Sequence, residues 1–140
     1  MIKNDDMVTL FLIEDDDVDA LTIERLFTKR RIANPLVRAH DGMQALEMLR
    51  SGELKKPYII LLDLQMPRMN GLEFLAEIRD DADLSDSVVF VLTTSKSEED
   101  LIAAYKNQIA GYFLKEDSDK GLFNIVELLD GYWKIAYLPK

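Results

Sequence analysis

Tyr58-Ile-Ile-Leu-Leu-Asp-Leu-Gln-Met-Pro67 decides the fold. Tyr58 to Leu62 is an unbroken apolar run too short for a helix, with the β-branched Ile59 and Ile60 in it. It reads as a strand buried on both faces. The run ends in an acid, Asp63. Outward from it the same unit recurs, a short apolar strand followed by an amphipathic helix. Upstream, Val8-Thr-Leu-Phe-Leu-Ile13 reads as a first strand and Leu36 to His40 as a second. Val18 to Arg31 reads as the helix between them, with Val18, Leu21 and Phe27 among its apolar positions. Asp41 has the spacing of a helix cap, with Gln44 reaching back. Downstream, Asn70 opens a helix to about Arg79 with Leu72, Leu75 and Ile78 on one face. Val88 to Leu92 is a fourth strand. Ser97-Glu-Glu-Asp100 opens a helix with capping-box spacing. Tyr112-Phe-Leu114 is a fifth strand, and a last helix runs from about Ser118 to Tyr137.

Five strands in alternation with five helices imply right-handed crossovers and a parallel sheet covered on both faces. This is the α/β, doubly wound, three-layer class. The 140 residues, 48% of them hydrophobic, suit one domain over residues 1–140. No repeat or linker interrupts the chain. The absence of cysteine removes disulfides, thiolate metal sites and a cysteine nucleophile. A single histidine, His40, is too few for a histidine metal site or a Ser/His/Asp triad and reads as structural. The net charge of −9 opposes binding to nucleic acid. The start of the chain carries Asp5 and Asp6 where a signal peptide would be basic, and no run is long enough for a membrane span. The expectation is a cytoplasmic protein.

Ligands of such folds bind at the carboxyl ends of the strands. Glu14 to Asp17 follow the first strand, Asp63 the third, Thr93 and Thr94 the fourth, and Lys115 the fifth. Asp16 and Asp17 read as a solvated run favouring the next helix N-terminus. Glu14, Asp15 and Asp63 lie at the mouths of buried strands, where gathered acids repel one another unless a cation offsets them. Oxygen donors without histidine or cysteine suit Mg²⁺, with Mn²⁺ or Ca²⁺ able to substitute. The expected ligands are Asp15, Asp63 and the main-chain carbonyl of Gln65, with Glu14 acting through a water. A carboxylate beside such a metal can remain a ligand, or it can attack phosphorus and become an aspartyl phosphate. Alone, Lys115 is an ordinary lysine and Thr93 a strand-end hydroxyl. Together with the metal they would supply one partner for each phosphoryl oxygen.

Glu14-Asp15, Leu62-Asp-Leu-Gln-Met-Pro67 with Gly71, Leu92-Thr-Thr-Ser95 and Gly111-Tyr-Phe-Leu-Lys115 together resemble the bacterial response-regulator receiver domain, over nearly the whole chain. The resemblance implies a flavodoxin-like sheet of strand order 2-1-3-4-5. It also implies a phosphoacceptor at Asp63 served by a sensor histidine kinase, a metal-binding pair at Glu14 and Asp15, and a switch hydroxyl at Thr93. Tyr112 becomes the switch aromatic, where alone it reads as core packing, and Lys115 the phosphoryl partner. Pro67, Gly71 and Thr94 belong to the flanking loops. Glu116 stands where the family has proline after the lysine, which leaves the cis or trans state of the Lys115–Glu116 bond open. A receiver ending at residue 140 carries no output domain and acts through protein contacts.

The last helix has an apolar stripe of Leu122, Ile125, Val126, Leu129, Trp133 and Ala136, which Leu128, Tyr132 and Ile135 widen beyond what covering a sheet needs. The excess suits packing against helix four or one, or a protein interface, of which a two-fold homodimer is the commonest form. Tyr132-Trp133 with Leu138-Pro139 resembles the phytochrome-associated subgroup of stand-alone receivers, which implies a light-sensing kinase and dimerisation through this helix. The competing reading is a receiver-fold docking module independent of phosphorylation. A small α/β phosphatase lacks insertions for a substrate pocket. A flavin protein lacks a Gly-rich phosphate loop after the first strand. The family resemblance implies a signalling protein rather than an enzyme, with self-phosphorylation and slow dephosphorylation its only chemistry.

Overall fold

The computed structural model describes residues 8–115 and 119–139. Strands and helices alternate as β1 (Thr9–Ile13), α1 (Asp17–Lys29), β2 (Leu36–Ala39), α2 (Gly42–Arg50), β3 (Tyr58–Leu62), α3 (Gly71–Arg79), β4 (Val88–Thr93), α4 (Glu98–Lys106), β5 (Gly111–Leu114) and α5 (Asp119–Ile135). The strands pair in parallel in the order β2-β1-β3-β4-β5. This is the expected doubly wound sheet of order 2-1-3-4-5. β3 is central and buried at every position, which is why its sequence is apolar without alternation.

Side chains leave the strands alternately to the two faces. Phe11, Ile13, Ile60, Leu62, Val89 and Val91 meet Leu46, Phe74, Leu75 and Ile78 from α2 and α3. Leu10, Leu12, Ile59, Leu61, Phe90 and Leu92 meet Ile23 and Phe27 of α1 and Ile125, Leu129 and Trp133 of α5. Burial of a side chain of this size contributes about 1.5–3 kcal/mol, so these two layers carry most of the fold.

Register sets the functional edge. Ile13 pairs with Leu62, which brings Glu14 and Asp63 side by side one residue later. Thr93 pairs with Leu114, so Lys115 leaves the sheet beside it.

Local differences from the sequence expectations have local causes. α1 starts at Asp17 because the Asp16 side chain caps it, accepting from the amides of Val18 and Asp19. Val18 is 72% exposed and Leu21 is also exposed; Ala20, Ile23 and Phe27 form the buried stripe. The helix stops at Lys29, and Arg31 then turns the chain with φ 56°. Asp41 caps α2, but the Gln44 side chain accepts from the amide of His40, not of Asp41. Ser97 caps α4, whereas Asp100 turns away from the cap and accepts from the Ser95 hydroxyl at 2.6 Å. Asn70 and Glu73 complete a reciprocal capping box on α3. α5 ends at Ile135, two residues early; its expected start at Ser118 lies outside the described residues. No helix among the described residues is long and apolar enough to cross a membrane.

Candidate functional site

Three loops meet at the carboxyl edge of the sheet. In the first, the Glu14 amide donates to Ala39 O and holds the chain against β2. Arg38 reaches over from β2, its Nε and Nη2 both donating to the Glu14 carbonyl at 3.0 and 2.8 Å, while Nη1 pairs with Asp17 at 2.8 Å. In the second, the Asp63 amide donates to Ile13 O and the Gly71 amide to Leu64 O. A side chain at Gly71 would come within 2.6 Å of Asp63 O, so the return of this loop past Asp63 requires glycine. Pro67 is exposed, and Arg68, with φ 64°, turns to grip the α2 cap Asp41 through two hydrogen bonds. In the third, the fully buried Thr93 accepts from the Ser95 amide at 3.3 Å. The Thr94 hydroxyl donates to the Gln65 side chain and ties the second loop to the third.

The acids converge. Carboxylate oxygens of Glu14, Asp15 and Asp63 lie within 4.8 Å of one another. Glu14 and Asp63 are buried and Asp15 is exposed. The Lys115 ammonium sits among them, 2.6 Å from Glu14 Oε1, 2.9 Å from Asp19 Oδ2 and 3.2 Å from Asp63 Oδ2. The second oxygen of Asp63, Oδ1, accepts from the Gln65 amide at 3.2 Å.

The electrostatics follow from this crowding. Burial, and then the Asp63 carboxylate, push Glu14 up to about 8 against the pull of the Lys115 ammonium. Burial works to lower the Lys115 pKa, but Glu14, Asp19 and Asp63 outweigh it and raise the value above its ordinary one. One ammonium faces four carboxylates, so the site has an excess of negative charge that a divalent cation would neutralise. The exposed Asp15 carboxylate stands at the solvent side of this cluster, where it could take part in holding a cation.

Tyr112 leaves β5 on the α4 side, partly buried, and its hydroxyl donates to the Ser95 carbonyl at 3.0 Å. Burial raises its pKa. Thr93 and Tyr112 therefore hold the same short loop, one at its start and one across it.

This arrangement matches a known family. Residues 10–127 match the response regulator receiver domain model. The chain belongs to the response regulator receiver family. The receiver is 35% identical over 128 residues to Response regulator Rcp1 of Synechocystis, covering 89% of this chain and 87% of that protein. Its structure is similar to that of the Mn²⁺-bound form of Rcp1, with a TM-score of 0.84 and 33% identity over 94% of this chain and 99% of the other. It is also similar to a phosphorylated cyanobacterial phytochrome response regulator, RcpA, with a TM-score of 0.86 and 33% identity over 96% and 99% of the two chains. The acidic cluster of this receiver suits a divalent metal, as the chemistry of its donors requires.

The residues expected at the site divide as follows. Glu14, Asp15, Asp63 and Lys115 come together; Gln65, Thr94, Pro67 and Gly71 build the loops; Thr93 and Tyr112 join through Ser95. On α5, Leu128 and Ile135 are exposed, Ile135 by 73%. Tyr132 instead packs edge-on against Phe90 at 5.2 Å, within its own chain. The Lys115–Glu116 bond lies outside the described residues. Sequence reasoning missed Asp19 and Arg38. Arg38 had a visible signal, a charge inside an otherwise apolar strand; Asp19 had none beyond its place in the first helical turn.

Proposed function

We propose that this receiver is a phosphorylation switch whose acceptor is Asp63. One observation carries the reading: Asp63 is buried, shares a 4.8 Å cluster with Glu14 and Asp15, and accepts from Lys115. Asp15, Asp63 and the Gln65 carbonyl would hold Mg²⁺, with Glu14 reaching it through a water; bound there, the ion would screen charge between Asp63 and an incoming phosphoryl group. A carboxylate oxygen of Asp63 attacks the phosphorus of a phosphohistidine on a sensor kinase. The new O–P bond forms as the P–N bond breaks, and its electron pair stays on the histidine nitrogen. Lys115 then pairs with a phosphoryl oxygen, and the Thr93 hydroxyl turns toward another. That turn costs Thr93 its bond from the Ser95 amide, so the loop moves and Tyr112, bonded to the Ser95 carbonyl, moves with it. The reshaped surface changes which protein the receiver binds, in the cytoplasm.

The likeness to RcpA, described as a phytochrome response regulator, favours a phytochrome-type kinase as the partner. The exposed Leu128 and Ile135 favour a homodimer through α5. Incubation with Mg²⁺ and acetyl phosphate, read by intact mass, tests the acceptor. A phosphoryl adduct on the wild type, absent from Asp63→Asn and lost with chelator, is expected. Absence of an adduct on folded, Mg²⁺-binding wild type would favour the docking module.

A further inference from the structure

The Lys115 ammonium has three N–H donors, and Glu14, Asp19 and Asp63 take one each. The proposed reaction accounts for Glu14 and Asp63. It leaves Asp19 unexplained. Asp19 stands in the first turn of α1, outside the carboxylates that cluster for a metal. The Asp16 cap fixes it there, accepting from the Asp19 amide at 3.2 Å. The order of distances is informative. The ammonium lies 2.6 Å from Glu14 and 2.9 Å from Asp19, and 3.2 Å from Asp63.

We propose that Asp19 is a positioning residue: it draws the Lys115 ammonium toward α1, so that the bond from Lys115 to Asp63 stays the longest of its three and yields readily to a divalent cation. The inference rests on the phosphoacceptor reading of Asp63. An ammonium and a metal ion compete for the same carboxylate oxygens. A third carboxylate outside the metal set shares the ammonium and so weakens its hold on the acceptor. Without Asp19, Lys115 has only Glu14 and Asp63 and settles between them, where the metal must displace it. Once Asp63 carries a phosphoryl group, the added negative charge draws the ammonium across a short distance, and Asp19 lets go.

Calorimetric titration with Mg²⁺ of the full chain tests this in four proteins: wild type, Asp19→Asn, Lys115→Met and the double variant. Asp19→Asn should raise the dissociation constant about threefold, the size of one partly exposed ion pair. The same change should have no effect on Lys115→Met, because it acts only through the ammonium. Asp19→Glu should recover most of the affinity. An equal loss of affinity in both backgrounds, which is what removal of one more negative charge would give, overturns the inference. So does a wild type that binds no Mg²⁺. Acetyl phosphate labelling of the wild type separates the two levels: a wild type that binds Mg²⁺ but takes no label on Asp63 removes the acceptor reading, and this role of Asp19 with it. A labelled wild type with parallel losses removes the role of Asp19 alone.

Discussion

Two basic side chains hold the opposite ends of this sheet, and they do so by different chemistry. At the amino end Arg79, the last residue of α3, donates to the carbonyls of Asn107, Ser85, Ser87 and Gln108 at 2.7 to 3.1 Å. It clamps the loops entering β4 and β5. At the carboxyl end Lys115 faces three carboxylates. The Arg79 partners are neutral dipoles that do not repel one another, and the planar guanidinium satisfies several at once. The Lys115 partners are like charges forced together, and Glu14 is pushed toward neutrality, first by burial and then by the Asp63 carboxylate. The amino end is built for stability. The carboxyl end is left with an excess of negative charge that a divalent cation would offset.

The largest expected effect breaks the stable end. Arg79→Ala strips four carbonyl oxygens of their donor and should cost about 2–4 kcal/mol in urea unfolding. Mg²⁺ should leave that loss unchanged, since the site lies at the other edge; a Mg²⁺-dependent loss would break the comparison.

The next effect is one of pH. Glu14 has an ordinary value of 4.5 and is pushed up to about 8 in the folded chain. Above 4.5 the unfolded state releases this proton while the folded state keeps it. Stability in chelator should therefore fall as pH rises from 4.5 toward 8, and Glu14→Gln should flatten the decline. Unfolding curves across that range check the sign. A rise in stability attributable to Glu14 would mean that the Lys115 ammonium dominates its surroundings.

The smallest expected effect lies outside both ends. Leu128→Glu with Ile135→Glu, both exposed on α5, should shift the particle mass measured by light scattering from dimer to monomer. Unfolding of the monomer should change by only about 0.5 kcal/mol or less, as for surface substitutions. A large loss would mean that α5 leans on these residues as it leans on Trp133.

The contrast also explains what the sequence discloses. Asp63 is legible because an acid ending five apolar residues has no structural reason to be there. The strand order and the meeting of Glu14, Asp15 and Lys115 follow from the parallel pattern and the resemblance. Arg79 is not legible: a basic residue in the last turn of a helix already has a reason in the helix dipole, and nothing local reveals four distant carbonyls. Asp19 is hidden for the same reason, since acids in a first turn are ordinary. Tyr132 misleads because helical period places it at the edge of the apolar stripe, where a side chain can face a partner or the sheet, and it packs edge-on against Phe90. Gln44 and Asp100 satisfy capping spacings and find closer partners in His40 and Ser95.

The most direct test measures the unfolding free energy of wild type and Asp63→Asn in urea, once in chelator and once in saturating Mg²⁺. The two stabilities should cross. In chelator, Asp63→Asn should be the more stable by about 1 kcal/mol, because one of four crowded carboxylates is gone. In Mg²⁺ the wild type should gain by mass action, about 2.7 kcal/mol at a hundredfold excess over its dissociation constant, and become the more stable. Parallel responses, with Mg²⁺ stabilising both proteins equally or neither, would contradict the claim that the carboxyl edge is built around Asp63 and a divalent cation.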